Sequence, residues 1–203
     1  MTKRHQLLLC LVLAGCSRTL TGMEPIPFVT KANNEQERIA ELLEVKQILV
    51  ECEAKRPFGY ARLTIDCFRD GKKVMTTSGG VVPPSPQKTV TVSVQIADLD
   101  KLPLDPAKPG HLRIWHSLRV GDGTTTAGPL DLPKSAFDLT NCIYGGGSLH
   151  DSTGMADGAT AIYQAMRVIN HTVTGRDSLE GLIKSNPGAD ILIVSLLLTE
   201  SQD

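Results

Sequence analysis

Alternating apolar and polar residues dominate the middle of the chain. Residues 89–96, TVTVSVQI, place valine or isoleucine at every second position and hydroxyl or amide side chains between them. Residues 62–67 and 111–118 alternate in the same way. A period of two residues is typical of β-strands with one buried and one solvated face. The pattern therefore predicts an antiparallel sheet or sandwich whose strands are joined by Pro- and Gly-rich connections such as residues 120–133.

Two hairpins are predicted around the strand at 62–67. Asp70-Gly71 suits a type I′ turn and would place Cys67 opposite Val74. The preceding segment, VKQILVECEA, either extends a helix predicted at 35–44 or forms a strand. If residues 48–54 form a strand and pair with 62–67, Cys52 lies opposite Cys67, within disulfide range. We therefore predict a Cys52–Cys67 disulfide, with two buried reduced thiols as the alternative.

The pattern changes after Cys142. Residues 158–171 carry Ile162, Ala165, Met166 and Ile169 at helical spacing, and a capping box at Asp177 and Glu180 predicts a second helix. The run ILIVSLLL at 191–198 predicts a strand buried on both faces. The predicted fold class is α+β, mainly antiparallel β-sheet or sandwich, with helices from the C-terminal third packed on it.

The first residues have the organisation of a secretory signal. Lys3 and Arg4 precede the apolar run Leu7–Leu13, and Ala14 and Gly15 follow it. A bilayer-spanning helix needs about 20 apolar residues, so the run is too short to be one. The segment Leu13-Ala14-Gly15-Cys16 resembles the lipobox of bacterial lipoproteins. The resemblance implies that residues 1–15 are removed and that Cys16 carries the acyl chains.

This resemblance implies a location. A lipidated Cys16 attaches the mature protein to a membrane of the cell envelope, and Ser17 implies transfer to the outer membrane where the host has two. Residues 16–33 contain small residues and prolines without periodicity, so we expect a lipidated N-terminus with a flexible tether. Residues 34–203 are then expected to form a single globular domain.

Composition narrows the choice of partner. Hydrophobic residues make up 41% of the chain and charged residues 21%, as in soluble globular domains. Loss of Lys3 and Arg4 with the signal changes the formal charge from −1 to −3. No basic cluster is present, so nucleic acid is not an expected partner. Of five cysteines, Cys52, Cys67 and Cys142 remain after signal removal and lipidation, in an oxidising compartment.

The strand at 111–118 carries the first candidate binding residues. His111 and His116 are five positions apart, so their side chains face opposite sides of the strand and do not share a metal. His116 is expected at the margin of the core with a hydrogen-bond partner. Arg113 and Trp115 share the other face and form a candidate platform for a sugar or a partner protein, with packing under a loop as the alternative.

The Gly-rich stretch 145–154 supplies the residue types of a hydrolase triad. Ser148, His150 and Asp151 lie too close together in sequence to align as nucleophile, base and orienting acid. Residues 175–181, GRDSLEG, resemble the GDSL block of SGNH hydrolases, with Ser178 in the nucleophile position. Arg176 interrupts that motif, and the sequence has no histidine after position 171.

The sequence therefore predicts a lipid-anchored cell-envelope protein with a structural or protein-interaction role rather than a catalytic one. Its partners would be the membrane, envelope proteins or glycans. The alternative is a small-ligand or carbohydrate-binding lipoprotein using Arg113 and Trp115, and the third hypothesis is a serine hydrolase using Ser148 or Ser178. No motif indicates a cofactor or a metal site.

Overall fold

The computed structural model describes residues 24–32, 45–101, 109–139, 143–146, 158–167 and 179–202. Within these ranges the chain forms ten strands and one helix. In chain order they are β1 (Phe28–Ala32), β2 (Val45–Phe58), β3 (Tyr60–Arg69), β4 (Lys72–Val81), β5 (Gln87–Asp98), β6 (His111–Val120), β7 (Gly123–Pro133), β8 (Ile143–Gly146), β9 (Thr160–Arg167), α1 (Leu179–Ser185) and β10 (Asp190–Thr199).

The strands form two five-stranded sheets that pack face to face. The first sheet has the order β1-β2-β5-β6-β7 and the second β4-β3-β10-β9-β8. Every strand pairing is antiparallel. The main core lies between the sheets and combines the inward side chains of β2, β5 and β6 with those of β3, β9 and β10. The predicted antiparallel sheet or sandwich is confirmed.

A single residue carries the chain from the first sheet to the second. Gly59 separates β2 from β3, and its amide donates a hydrogen bond to the Thr199 carbonyl, 2.9 Å away. A side chain at this position would overlap the carbonyl oxygen of Glu200. Glycine is therefore required for the close approach of two backbones. We call this end of the sandwich the corner end.

The corner explains why the predicted pairing of residues 48–54 with 62–67 is wrong. β2 pairs with β1 and β5, whereas β3 pairs with β4 and β10. Cys52 lies opposite Thr30 and Val90. Alternation along a strand specifies which residues face the core, but it does not specify the partner strand.

The predicted turn at Asp70-Gly71 is confirmed. Both residues have positive φ, 52° and 74°, as a type I′ turn requires. The predicted register is shifted by one residue, because a bulge between Cys67 and Phe68 places Cys67 opposite Met75. Val74 is consequently 44% exposed rather than buried beside Cys67.

The C-terminal third contains fewer helical residues than predicted. The helix at 158–171 is wrong, because residues 160–167 form β9, which pairs with β10 and β8. The predicted strand at 191–198 is confirmed as part of β10, every residue of which is buried. Leu182 of α1 packs on the outward face of the second sheet against Ile191 and Ile193 of β10.

Two other segments have more regular structure than the sequence indicated. Part of the predicted tether forms β1, and Ile26, only 2% exposed, donates its backbone amide to the Leu198 carbonyl at 2.8 Å. The folded domain therefore includes residues 24–32 and begins before the predicted boundary at residue 34. Most of residues 120–133, expected to form turns, belong to β7, which pairs with β6.

Candidate functional site

Trp115 lies on the outward face of the first sheet. Gln95 of β5 is in register with Trp115, and Gln47 of β2 is in register with Gln95. A bulge in the β6–β7 ladder falls at Trp115. The indole is half-buried, and Ala97 on the same face is fully buried. The predicted platform residue thus lies on a sheet face with polar neighbours.

Arg113 lies beside the indole and is held in place by an ion pair. Its Nε atom is 2.6 Å from Asp131 Oδ1, and its second terminal nitrogen is 3.0 Å from Oδ2. The two residues are in register on β6 and β7. The guanidinium carbon lies 5.7 Å from the centre of the Trp115 ring. The structure therefore brings together Arg113 and Trp115, and it orients the arginine with a carboxylate that the sequence analysis did not select.

His111 and His116 face opposite sides of β6, as predicted. His111 Nδ1 is 2.9 Å from the Pro109 carbonyl oxygen. His116 points into the core between the sheets and is 4% exposed. Its Nε2 atom has no hydrogen-bond partner among the described residues. Burial lowers the pKa of His116, because the charged imidazolium is poorly solvated there. The position of His116 in the core differs from the expected position at its margin.

We predict that His116 makes the domain less stable in mild acid. Its folded-state pKa lies below the ordinary value of 6.5, so the unfolded chain takes up the proton first as the pH falls through that value. Stability is then lost progressively until the pH reaches the folded-state pKa. Urea unfolding between pH 7.5 and 5 should show this loss in the wild type and a smaller one in His116→Leu. Parallel pH profiles for the two proteins would contradict the prediction.

Cys52 and Cys67 are free thiols in the structure, and both are fully buried in the main core. The strand pairing from which we predicted their disulfide is absent. Desolvation raises the pKa of Cys52 to about 12 and raises that of Cys67 as well. A thiol with a raised pKa is a poor nucleophile, since the thiolate is the reactive form. Both cysteines act here as small apolar core residues.

A cluster of charged side chains joins three adjacent strands of the second sheet. Asp190, whose side chain is 1% exposed, receives Arg69 Nε at 2.6 Å and a terminal nitrogen of Arg167 at 2.7 Å. Another terminal nitrogen of Arg167 is 3.3 Å from Asp138. We call these four residues the ionic cluster and this end of the sandwich, opposite the corner end, the ionic end. No sequence motif predicted the cluster, because Asp190 directly precedes the apolar run 191–198 and Arg69 lies 121 residues away from it.

A second group of charges extends the ionic end toward the first sheet. Lys134 pairs with Asp98 and lies 2.7 Å from Asp100. The Gly110 amide donates to Asp100 at 2.6 Å, and this bond, together with that from Lys134, lowers the pKa of the carboxyl. The Arg69 guanidinium donates to the Lys134 carbonyl oxygen at 3.3 Å. The loop after β7 thereby connects the ends of both sheets.

The remaining predicted site residues lie outside the described residues. These are Cys16, Cys142, Ser148, His150, Asp151, His171 and Ser178. In the described part of the chain, no group of three or more His, Cys, Asp or Glu side chains is arranged to hold a metal ion. Within the same ranges, no helix combines the length and apolarity required to cross a bilayer.

The described residues form an antiparallel sandwich of two five-stranded sheets, with an ionic cluster around the buried Asp190 at one end. Comparisons with models of protein families, with curated proteins and with solved structures find no match to this chain.

Proposed function

We propose that this protein is a cell-envelope lipoprotein, anchored through acyl chains on Cys16, whose sandwich domain has a structural or protein-interaction role. The observation that carries the proposal is the order of basic residues, apolar run and Leu13-Ala14-Gly15-Cys16 at the start of the sequence. More than one acyl chain on Cys16 makes attachment stable, since each buried CH₂ contributes about 0.8 kcal/mol.

The ion pairs of the domain support an interaction role. Asp190 and Asp131 each bind an arginine in bidentate geometry, so these carboxylates hold strands together. The two core cysteines are protonated thiols shielded by both sheets. These groups serve the stability of a rigid body, which suits a protein that acts by presenting surfaces to envelope partners.

Metabolic labelling with an alkyne analogue of palmitate tests the anchor. The wild type should carry the label and fractionate with membranes, whereas Cys16→Ser should lose both properties. Cys142→Ser serves as the matched control and should retain both. An unlabelled wild type, together with a Cys16→Ser variant that still fractionates with membranes, would refute the proposal.

A second candidate function is carbohydrate or small-ligand binding at Trp115, in the same anchored protein. The observation that favours it is the half-buried indole beside an arginine that is already fixed by Asp131. A pre-positioned guanidinium donates to sugar hydroxyls at small entropic cost, and an indole stacks on the apolar face of a sugar ring.

Tryptophan fluorescence tests this candidate directly, because Trp115 is the single tryptophan of the chain. Titration with soluble peptidoglycan fragments should shift its emission saturably, and Trp115→Ala should lose retention on insoluble peptidoglycan at least tenfold. Ser117→Ala, on the same sheet face, is the matched control. Unchanged emission together with equal retention of the three proteins would exclude glycan binding at this face.

A further inference from the structure

The corner end gathers the first described residues and the end of the last strand. Arg56 of β2 lies 3.0 Å from a carboxylate oxygen of Glu24 and 2.5 Å from one of Glu200. The Lys55 amide donates to the Pro27 carbonyl at 2.8 Å. The segment that enters the domain is thus attached beside the Gly59 corner, and Glu24 marks the attachment point of the tether.

The ionic end lies at the opposite end of the same strands. β10 begins at Asp190 in the ionic cluster and finishes at Thr199 beside Gly59. A strand rises about 3.3 Å per residue, so the ten residues of β10 separate the two ends by about 30 Å. The turn at Asp70-Gly71 also lies at the ionic end, since Arg69 pairs with Asp190.

The tether is no longer than the domain. Cys16 and Glu24 are eight residues apart in the sequence, and at about 3.6 Å per residue this segment reaches at most about 29 Å. Glu24 therefore cannot rise farther than this above the anchored acyl chains. An upright domain with its ionic end on the bilayer would need Glu24 more than about 30 Å above it, because the turns add to the length of β10.

We propose that the sandwich stands on the bilayer with its corner end facing the lipid headgroups and its ionic end directed away from them. This inference rests on the proposed lipid anchor. A short tether attached at one end of a rigid body keeps that end near the surface, because Glu24 stays within about 29 Å of the anchored acyl chains, whereas the ionic end is free to point away. The predicted charge of the mature chain, −3, gives no attraction to anionic headgroups that would turn it over.

This orientation assigns a different role to each end of the sandwich. The corner end, including the turn at Gly121-Asp122, is the membrane-facing surface. Gly121 belongs to this end because it lies beside Gln87, which is in register with Phe58. The ionic end, including exposed Lys101, is the surface available to partners at a distance from the membrane.

Energy transfer from single probes to a headgroup acceptor tests the orientation. The lipidated full chain, with Cys142→Ser, carries a donor fluorophore at Asp122→Cys or at Lys101→Cys; buried Cys52 and Cys67 are shielded from labelling. The proteins are reconstituted into phosphatidylethanolamine–phosphatidylglycerol vesicles containing a rhodamine-labelled lipid. Transfer should be at least threefold more efficient from position 122 than from position 101.

A lengthened tether is the matched control. Twelve Gly/Ser residues inserted between Ser17 and Glu24 should reduce the difference between the two positions, because the domain then rotates freely. Equal transfer with the natural tether, or greater transfer from position 101, would overturn the orientation while leaving the anchor intact. If the lipid-labelled fraction is absent and the wild type does not bind vesicles, the proposed anchor itself fails.

Discussion

Asp190→Ala is expected to lower the free energy of unfolding by about 3 kcal/mol, the lower end of the range for removing one partner of a buried ion pair, because Arg69 and Arg167 keep part of their surface in solvent. The Asp190 side chain is 1% exposed and contacts both Arg69 and Arg167. Removing the carboxylate leaves two guanidinium groups close together without their shared anion. Typical domains have a free energy of unfolding of about 5–15 kcal/mol, so this loss would be a large fraction of the stability of the domain.

Chemical denaturation followed by circular dichroism measures this effect. Asp190→Asn keeps the shape of the side chain but removes its charge. If this variant loses as much stability as Asp190→Ala, the effect is electrostatic. Glu180→Ala removes an exposed ion pair with Lys184 and should leave the denaturation midpoint unchanged. An Asp190→Ala protein with the wild-type midpoint would show that the ionic cluster contributes nothing to folding.

Gly59→Ala is expected to destabilise the domain by about 3 kcal/mol, the upper part of the range for overpacking. The added methyl group overlaps the carbonyl oxygen of Glu200. That oxygen is part of the backbone, and the neighbouring Thr199 carbonyl accepts the Gly59 amide, so neither strand moves away without losing this hydrogen bond. Gly59 is also the single residue that joins β2 to β3.

Gly123→Ala is the matched control for this prediction. A methyl group at Gly123, the first residue of β7, would lie 3.4 Å from the Val120 carbonyl oxygen, which is ordinary contact distance. The thermal unfolding midpoint should fall by about 6–12 °C in Gly59→Ala and by less than about 4 °C in Gly123→Ala. Equal midpoints for the two variants would contradict the steric role of Gly59.

Strands with one solvated face were predictable because their sequences record the alternation. β5 and β6 were predicted within two residues of their observed limits, and the Asp70-Gly71 turn follows from residues that accept positive φ. β9 was predicted as a helix. Both of its faces are buried, so Ile162, Tyr163, Ala165 and Met166 show no alternation, and the apolar spacing also fits a helical period.

Strand pairing and the charged contacts join residues that are far apart in the sequence, so local sequence patterns do not predict them. The hairpin proposed for Cys52 and Cys67 assumed that consecutive strands pair, and Gly59 instead directs them into different sheets. Arg69 and Asp190 are 121 residues apart, and no motif connects them. For the candidate site, the sequence identified Arg113 and Trp115 as sharing a face, but it gave no reason to select Asp131 as the arginine's partner.

The location of β10 between β3 and β9 sets the order of events during synthesis. The central strand of the second sheet consists of residues 190–199. More than a hundred residues must therefore be synthesised after β3 before its longest pairing partner, β10, exists. Such distant contacts slow folding, and the waiting strand exposes apolar residues. The second sheet is therefore completed only near the end of synthesis, whereas every strand of the first sheet has been made by residue 133.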